Sequence, residues 1–158
     1  MPHKPMRLEP DAHAAFQLIS ISNRLTAAAS QAYLRSFGVG IMEWRLLAML
    51  VLTGGASAHE ISQISGVDKS AVSRASQSLL RRGMIASKED PQDSRRILLS
   101  LTAEGRSMHD RIIRASLERE ELLLDGFSDE ERRELFRLMG KLHDNLPKVE
   151  GHDPVAED

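Results

Sequence analysis

The amino-acid sequence predicts a mainly α-helical fold with one small β-hairpin, and three observations lead to this prediction. Aromatic residues make up 4% of the 158 residues, so a core must be built from Leu, Ile, Ala and Met, which suit helices better than a β-sandwich. Apolar residues recur every three or four positions through most of the chain, which is the helical period. One stretch, between residues 84 and 101, changes to the two-residue period of strands.

The composition excludes several classes of protein. The chain has no cysteine, which rules out disulfides, thiolate zinc sites, iron–sulfur clusters and cysteine-based redox sensing. The longest apolar run, Leu46–Leu52, is far shorter than the roughly 20 residues that span a bilayer, and the N-terminus lacks the apolar core of a signal peptide. We therefore expect a soluble cytoplasmic protein without membrane association, cofactor or metal.

Two helices are predicted in the N-terminal part. Residues 1–10 show no period and are expected to be a flexible arm. From Asp11 to about Ser36 apolar residues keep helical spacing, and the glycines of Phe37-Gly-Val-Gly40 end that helix. A second helix spans roughly Ile41–Leu52, and a pair of glycines follows it.

Two further helices with a tight turn between them follow. Ser57 and Glu60 have the spacing of a capping box, which predicts a short helix ending at Gly66. Asp68 is a good N-cap for the next helix, Lys69–Arg82, which carries apolar residues on one face and polar residues on the other.

The strand period begins after Gly83. Met84–Ala86 and Ile97–Leu101 read as two short strands, and the polar residues 90–96 between them predict a β-hairpin with a charged tip.

Two helices complete the predicted order. One runs from Thr102 to about Leu124, and a second capping box at Ser128 opens a last helix that ends near Pro147. The acidic tail, residues 148–158, is expected to be flexible.

Helix, tight turn, helix and hairpin is the order of a winged helix-turn-helix, whose second helix can enter the major groove of DNA. Arginine can pair with guanine there and glutamine with adenine. A solvated helix face is the alternative for any single residue, but the hairpin that follows favours DNA contact for the set. The candidate DNA-binding residues on this helix are Lys69, Ser70, Ser73, Arg74 and Gln77.

The hairpin tip supplies a second group of candidates. Asp93 can place its carboxylate beside the guanidinium of Arg95, and an arginine projecting from a wing suits the negative potential of a narrow minor groove. An ordinary turn with surface charges is the alternative. Charge is also uneven: residues 69–96 carry seven basic and three acidic side chains, whereas residues 118–158 carry six basic and thirteen acidic ones.

Four motifs together resemble the MarR (multiple antibiotic resistance regulator) family. They are Asp68-Lys-Ser-Ala-Val-Ser-Arg74, Leu79-Leu-Arg-Arg-Gly83, Asp90-Pro-Gln-Asp-Ser-Arg95 and Leu101-Thr-Ala-Glu-Gly105. The resemblance covers about residues 11–145. It implies an obligate homodimer with one winged domain per subunit, binding to a pseudo-palindromic operator in double-stranded DNA, usually as a repressor that a small, often aromatic or anionic, ligand releases.

The resemblance also implies roles for particular residues. Ser70, Ser73, Arg74 and Gln77 match the family's contacts on the recognition helix, and Arg95 matches its wing arginine. Ser94 replaces an arginine that is common in the family, while Arg96 adds one, so Arg95 and Arg96 are both candidates for the minor groove.

The predicted division is a winged helix-turn-helix DNA-binding domain at 41–101 and a helical dimerisation region at 11–36 and 103–146. The helices around Ile19, Leu117, Leu122 and Leu142 offer more apolar surface than one winged domain can cover, so we expect a second copy to cover it. A two-fold dimer would place its two recognition helices about 34 Å apart, one turn of DNA.

Ligands in this family typically lie between the dimer helices and the winged domain. An arginine near an aromatic wall would suit a carboxylate on an aromatic ring. The alternatives are a core position for Trp44, a surface position for His13, and structural ion pairs for Arg24 and Arg45. The polar candidates for such a crevice are His13, Ser20, Asn23, Arg24, Trp44 and Arg45.

The sequence contains no pattern typical of an enzyme. Its six histidines form no His-x-x-x-His pair, and the serine-rich segment 68–78 has no SxxK or GxSxG pattern. The remaining alternative is a helical dimeric adaptor that does not bind DNA, which explains the paired helices but not the basic helix face or the wing.

Overall fold

A computed structural model describes residues 9–153, apart from the side chain of Ser94. The expectations for residues 1–8 and 154–158 lie outside these described residues. A short 3₁₀ turn at Pro10–Ala12 precedes the first helix. The elements are α1 (Ala14–Phe37), α2 (Ile41–Thr53), β1 (Ala56–Ser57), α3 (Ala58–Ser65), α4 (Lys69–Arg81), β2 (Ile85–Asp90), β3 (Asp93–Leu101), α5 (Ala103–Leu123) and α6 (Asp129–Glu150).

The chain divides into two compact units, residues 1–114 and 115–158. The first contains α1 to α4, the sheet and the first part of α5, and the second contains the end of α5 and α6. The mainly helical fold with a small β-hairpin is confirmed.

The core of the first unit lies where α2 packs against α3 and α4. Leu47, Leu50, Ile61, Leu79 and Ile112 are almost fully buried. α2 contributes two of them because it is apolar around most of its circumference, as expected for a helix covered on several sides. The core therefore lies directly beneath α4.

The hairpin is longer than the sequence predicted, and a third strand joins it. β2 and β3 pair antiparallel from Ile85↔Leu101 to Asp90↔Asp93, so the predicted turn at 90–96 is wrong: only Pro91 and Gln92 lie outside the strands. The charged residues at the ends of β2 and β3 show no alternation of apolar and polar residues, so the sequence did not indicate a strand there. Their backbones pair all the same, because the hydrogen bonds between strands do not depend on the side chains. The strand β1 pairs with β3 at Ala56↔Leu99. Because β1 has only two residues, its sequence shows no two-residue period from which a strand could be predicted. We call β2, β3 and residues 91–92 the wing.

The first helix begins three residues later than predicted. Asp11 lies in the 3₁₀ turn, and His13 is the N-cap of α1, where its Nδ1 accepts a hydrogen bond from the Phe16 backbone N–H at 3.1 Å. Among residues 9–153 no single helix is long and apolar enough to cross a membrane. α1 and α2 meet that condition only as a pair, which is bent by 85°.

The start of α5 lies directly against the turn that follows α4. A Cβ atom on Gly105 would lie 1.9 Å from the Met84 carbonyl oxygen, so glycine is required at this contact. Thr102 donates its hydroxyl to the Gly83 carbonyl at 2.7 Å and its backbone N–H to the Met84 carbonyl at 3.1 Å. These contacts fix the base of the wing to the end of α4.

The C-terminal unit contains several polar contacts, and apart from the buried Leu124 most of its large apolar side chains are exposed. Ser128 and Glu131 form the predicted capping box, and Arg132 pairs with Glu121 at 2.9 Å. No residue of α6 is buried in the chain. The exposed apolar residues of α6 are Phe136, Leu138, Met139, Leu142, Leu146 and Val149.

The predicted end of α6 was too early. The helix continues through Pro147 to Glu150, so the expected flexible tail cannot start at Lys148. Proline removes its own N–H, but the residues after it still find acceptors, and Gly151 donates to the Pro147 carbonyl at 3.1 Å.

Candidate nucleic-acid interface

α4 buries one face and exposes the other. Val72, Ala75 and Leu79 are buried, and they lie three and four residues apart on one side of the helix. The predicted contact residues lie on the opposite side. Lys69, Ser70, Ser73, Arg74 and Gln77 are all exposed. The structure thus brings the five residues together on one accessible helix face.

A chain of polar contacts orders the first turns of α4. The Asp68 Oδ1 atom accepts hydrogen bonds from the backbone N–H groups of Ser70 at 2.9 Å and Ala71 at 3.2 Å, and from the Ser70 hydroxyl. Arg74 in turn donates from Nη1 to the Ser70 hydroxyl oxygen at 3.0 Å. The bond from the Ser70 hydroxyl, followed by the two backbone N–H bonds, lowers the pKa of Asp68. The guanidinium of Arg74 is thereby held along the exposed face.

The other polar side chains of this face make no contacts that a ligand would have to break. Among residues 9–153, the side chains of Lys69, Ser73 and Gln77 have no hydrogen-bond or ion-pair partner. A partner that supplies acceptors or charges therefore displaces only water from them.

Glu43 joins the far end of α4 to α2. Its Oε1 accepts a hydrogen bond from the Ser78 hydroxyl at 2.6 Å, and its Oε2 pairs with Arg82 Nη1 at 3.1 Å. Oε2 also accepts the Gly40 backbone N–H at 2.8 Å, which caps α2. Sequence reasoning missed this contact because its partners lie 35 and 39 residues away and no local pattern relates them.

Arg96 fixes the wing to the start of α3. Its Nη2 pairs with Glu60 Oε1 at 2.6 Å, and its Nε lies 3.7 Å from Asp90 Oδ2. The other oxygen of Glu60 accepts the backbone N–H and the hydroxyl of Ser57, each at 2.8 Å. The Ser57 bonds, together with Arg96, lower the pKa of Glu60 to about 2. One carboxylate therefore caps α3 and holds the wing.

Arg95 lies on the wing without such contacts. Its guanidinium has no partner among the side chains that the structure describes. The predicted support of this guanidinium by Asp93 is wrong: the Asp93 Oδ1 atom accepts the Arg95 backbone N–H at 3.0 Å instead. The carboxylate shapes the turn, and the arginine side chain stays exposed.

The six candidate ligand residues differ in burial and in the contacts that they make. His13 caps α1, Asn23 and Arg24 are exposed, and Ser20 is half-buried. Trp44 is buried, in edge contact with Tyr33 and stacked on His109 with 5.4 Å between ring centroids.

The last of the six, Arg45, joins two helices. Its Nη2 donates to the Thr26 hydroxyl at 3.1 Å, which connects α2 to α1. It also lines a cleft of about 10 Å³ between α2, α3 and α4, which holds one water at most.

A larger hollow lies beside α4. It has a volume of about 380 Å³ and reaches from Ser30 and Met42 to Arg74 and Ser78. This volume falls in the range of small-molecule sites. Among the described residues, no group of three His, Cys, Asp or Glu side chains could hold a metal ion.

A helix-turn-helix with an exposed polar second helix, followed by an antiparallel hairpin, defines a winged helix-turn-helix DNA-binding protein. The model of the MarR family matches residues 37–96, from the end of α1 into β3. The chain is 33% identical to a MarR/EmrR family transcriptional regulator from Acinetobacter sp. ADP1, whose crystal structure superposes with a TM-score of 0.82 over 89% of this chain and 99% of that one. The chain belongs to the MarR family of transcriptional regulators.

Other relatives agree with this assignment. The HTH-type transcriptional regulator YdgJ of Bacillus subtilis is 28% identical over 72% of this chain and 69% of its own length. The PcaV transcriptional regulator from Streptomyces coelicolor, solved with its natural ligand, is 25% identical, with a TM-score of 0.71 over 89% of this chain and 98% of that one. MepR from S. aureus, solved with DNA, shares the fold at 21% identity, with a TM-score of 0.74 over 87% of this chain and 99% of that one.

Proposed function

We propose that the chain is a homodimeric repressor in the cytoplasm that binds a pseudo-palindromic operator and is released by a small aromatic or anionic ligand. The observation that carries this proposal is the polar face of α4, which presents Lys69, Ser70, Ser73, Arg74 and Gln77 above a buried apolar face. Such a face fits the major groove, where arginine and glutamine read base edges. The DNA complex of MepR supports the same use of the fold.

The homodimer is supported by apolar surface that each unit leaves uncovered. In the first unit Phe16, Leu18 and Ile19 of α1 are exposed, and in the second Leu122 and Leu142 are exposed. Contiguous apolar surface on helices typically marks an interface. We assign this surface to a second copy, in line with a dimerisation region at 11–36 and 103–146, because a palindromic operator requires a two-fold partner.

We assign the minor groove to Arg95 rather than Arg96. Arg96 is held by Glu60 and Asp90, so drawing it into the groove would break both of these charge-assisted contacts. Arg95 has no partner to lose among the described side chains. Arg95→Ala should therefore remove minor-groove protection in a hydroxyl-radical footprint, while Arg96→Ala should weaken it through movement of the wing.

The effector would bind near α1 and α2. Arg24 and Arg45 are exposed cations that suit a carboxylate, and PcaV, solved with its natural ligand, supports a small-molecule effector. The variants Arg24→Ala and Arg45→Ala should respond less to the effector while their operator affinity stays within a few-fold. If the effector releases both variants from the operator as readily as the wild type, these arginines do not belong to the effector site. The hollow between Met42 and Arg74 would then be the site to test next.

Footprinting on genomic fragments tests the main proposal. The protein should protect a site with two half-sites about 34 Å apart. If the dimer neutralises 6–10 phosphates, its affinity should fall by roughly 10³–10⁵ between 50 and 200 mM salt. Selection of no palindromic site, or elution as a monomer at micromolar concentration, would overturn the proposal. A helical adaptor would show no salt-dependent DNA binding at all.

A further inference from the structure

Arg74 lies between two carboxylates, each of which binds a serine one helical turn away along α4. Ser70 and Ser78 stand four residues before and four residues after Arg74, so the three side chains form one row on the helix surface. Ser70 binds Asp68, and the Ser78 hydroxyl donates to Glu43 Oε1 at 2.6 Å. Arg74 donates to the Ser70 hydroxyl oxygen at 3.0 Å, which leaves it on the exposed side of the row.

The two carboxylates differ in their access to water. Asp68 is exposed, whereas the side chain of Glu43 is 14% exposed. A carboxylate so far removed from water needs a cation, because an uncompensated charge there is strongly unfavourable. Arg82 supplies that cation, with its Nη1 atom 3.1 Å from Glu43 Oε2. The pair therefore satisfies the charge of Glu43 at the far end of the row.

Glu43 and Arg74 face the same open space. Both line the hollow of about 380 Å³ beside α4, together with Ser78. Of the described residues that line this hollow, Arg74 is the only one with a positive charge. Side chains four residues apart on a helix start about 5–6 Å from each other, and arginine is long enough to cross one turn. Arg74 is thus the next cation that can reach the carboxylate bound by Ser78.

We propose that Arg82 is a positioning residue for DNA recognition, and that it acts through Glu43. By pairing with Glu43 it keeps this carboxylate from capturing Arg74, so that Arg74 projects from the exposed face of α4 toward a base. Without Arg82, Glu43 draws the guanidinium of Arg74 across the hollow toward α2. The inference rests on the proposed operator binding and names the contact that keeps the groove-reading arginine available.

The first experiment measures operator binding of full-length variants at position 82. The probe is a labelled duplex carrying the operator selected from genomic fragments, together with its single-base variants. Arg82→Ala should weaken binding by about tenfold or more and relax discrimination at the same base pair as Arg74→Ala, because the guanidinium that reads this base is turned away. Arg82→Lys keeps a cation for Glu43 and should retain the wild-type base preference.

A second substitution separates this role from a direct contact of Arg82 with DNA. Arg82→Ala/Glu43→Gln lacks the carboxylate that captures Arg74, so its affinity and base preference should return to within about threefold of the wild type. In the Arg74→Ala background, Arg82→Ala should cause almost no further loss. If Arg82 instead contacts a phosphate or only stabilises α4, Glu43→Gln restores nothing and all operator variants bind equally weakly, which overturns the inference.

A measurement without DNA follows Arg74 directly. Phenylglyoxal modifies accessible guanidinium groups, and mass spectrometry gives its rate of reaction at Arg74 in the free protein. The rate should fall in Arg82→Ala and recover in Arg82→Ala/Glu43→Gln. Arg133→Ala, which removes an exposed, ion-paired arginine of α6, should leave it unchanged. If circular dichroism shows that Arg82→Ala does not fold, Arg82→Gln takes its place, since it removes the charge but can still donate a hydrogen bond to Glu43.

The two measurements distinguish failure of this inference from failure of the proposed function. If the wild type selects an operator, and Arg82→Ala matches it in base preference and in the rate at Arg74, this inference fails alone. If the wild type selects no operator, the proposed function has failed, and the phenylglyoxal rates still decide whether Arg82 keeps Arg74 away from Glu43.

Discussion

The core of the first unit and the last helix of the second unit hold their apolar residues in different ways. The first unit buries Leu47, Leu50, Ile61, Leu79 and Ile112 almost completely, whereas α6 in the second unit buries no residue and exposes six large apolar side chains. Both units contain amphipathic helices with well-formed N-caps, so helix formation does not explain the difference. The core of the first unit is buried within one chain, whereas the apolar face of α6 is the surface that we propose a second copy covers.

The largest expected effect comes from the core of the first unit. Leu79→Ala leaves a cavity beneath α4 and should lower the free energy of unfolding by about 2–5 kcal/mol. Urea titration followed by circular dichroism measures this loss. Leu138→Ala on the exposed face of α6 is the matched control and should cost much less under conditions that keep the chain monomeric. If both variants lose the same free energy of unfolding, Leu138 is as important to the fold of the monomer as Leu79, and the difference between the two units is contradicted.

The next effect should appear in assembly. Leu142, which is 42% exposed, belongs to the apolar face of α6. Leu142→Glu should place a charge in the proposed dimer interface and give a monomer in size-exclusion chromatography with light scattering. Operator affinity should fall by about 10²-fold or more, because binding of the second half-site is no longer intramolecular. A dimer with wild-type affinity would show that another surface pairs the subunits.

A smaller effect is expected on the exposed face of α4. Arg74→Ala should weaken operator binding by about 1–3 kcal/mol and relax specificity at one base pair of each half-site, if Arg74 reads a base. A binding selection with single-base operator variants measures both quantities. Arg133→Ala in α6 removes an exposed, ion-paired arginine and should bind like the wild type. If the substitution weakens binding to all operator variants equally, Arg74 contacts a phosphate and not a base.

The smallest effect concerns the contact between Glu60 and Arg96. The pKa of Glu60 is lowered from 4.5 to about 2 in the folded chain, so its ionised form adds stability above pH 4.5 that is lost as the pH falls toward 2. Glu60→Gln keeps a capping-box side chain but removes the charge.

The urea midpoint of Glu60→Gln should lie below that of the wild type at pH 6, and the gap should narrow between pH 4.5 and pH 2.5. Glu130→Gln, which alters an exposed pair on α6, serves as the control. A gap that is constant with pH would show that the loss does not come from the charge of Glu60.

The sequence predicted the features that depend on neighbouring residues. The caps at Ser57, Asp68 and Ser128 are confirmed because a capping side chain and its N–H partners lie within three residues. The exposed face of α4 also followed from its helical period.

Contacts between distant residues could not be predicted in this way. Glu43 meets Ser78 because α2 packs on α4, and Glu60 meets Arg96 because α3 lies beside β3. Glu60 was recognised as a cap, but nothing in its local sequence indicated that its second oxygen holds the wing. The full length of β2 and β3 was missed for a related reason, since backbone pairing of charged residues leaves no apolar pattern.

The glycine at position 105 has a mechanical consequence. At this point the backbone of α5 rests on the carbonyl group of Met84 with no side chain between them. Side chains can change rotamer and absorb a small shift, whereas two backbones in direct contact cannot. A displacement of the first turn of α5 would therefore press directly on the backbone that follows α4, with no side chain between them to absorb it.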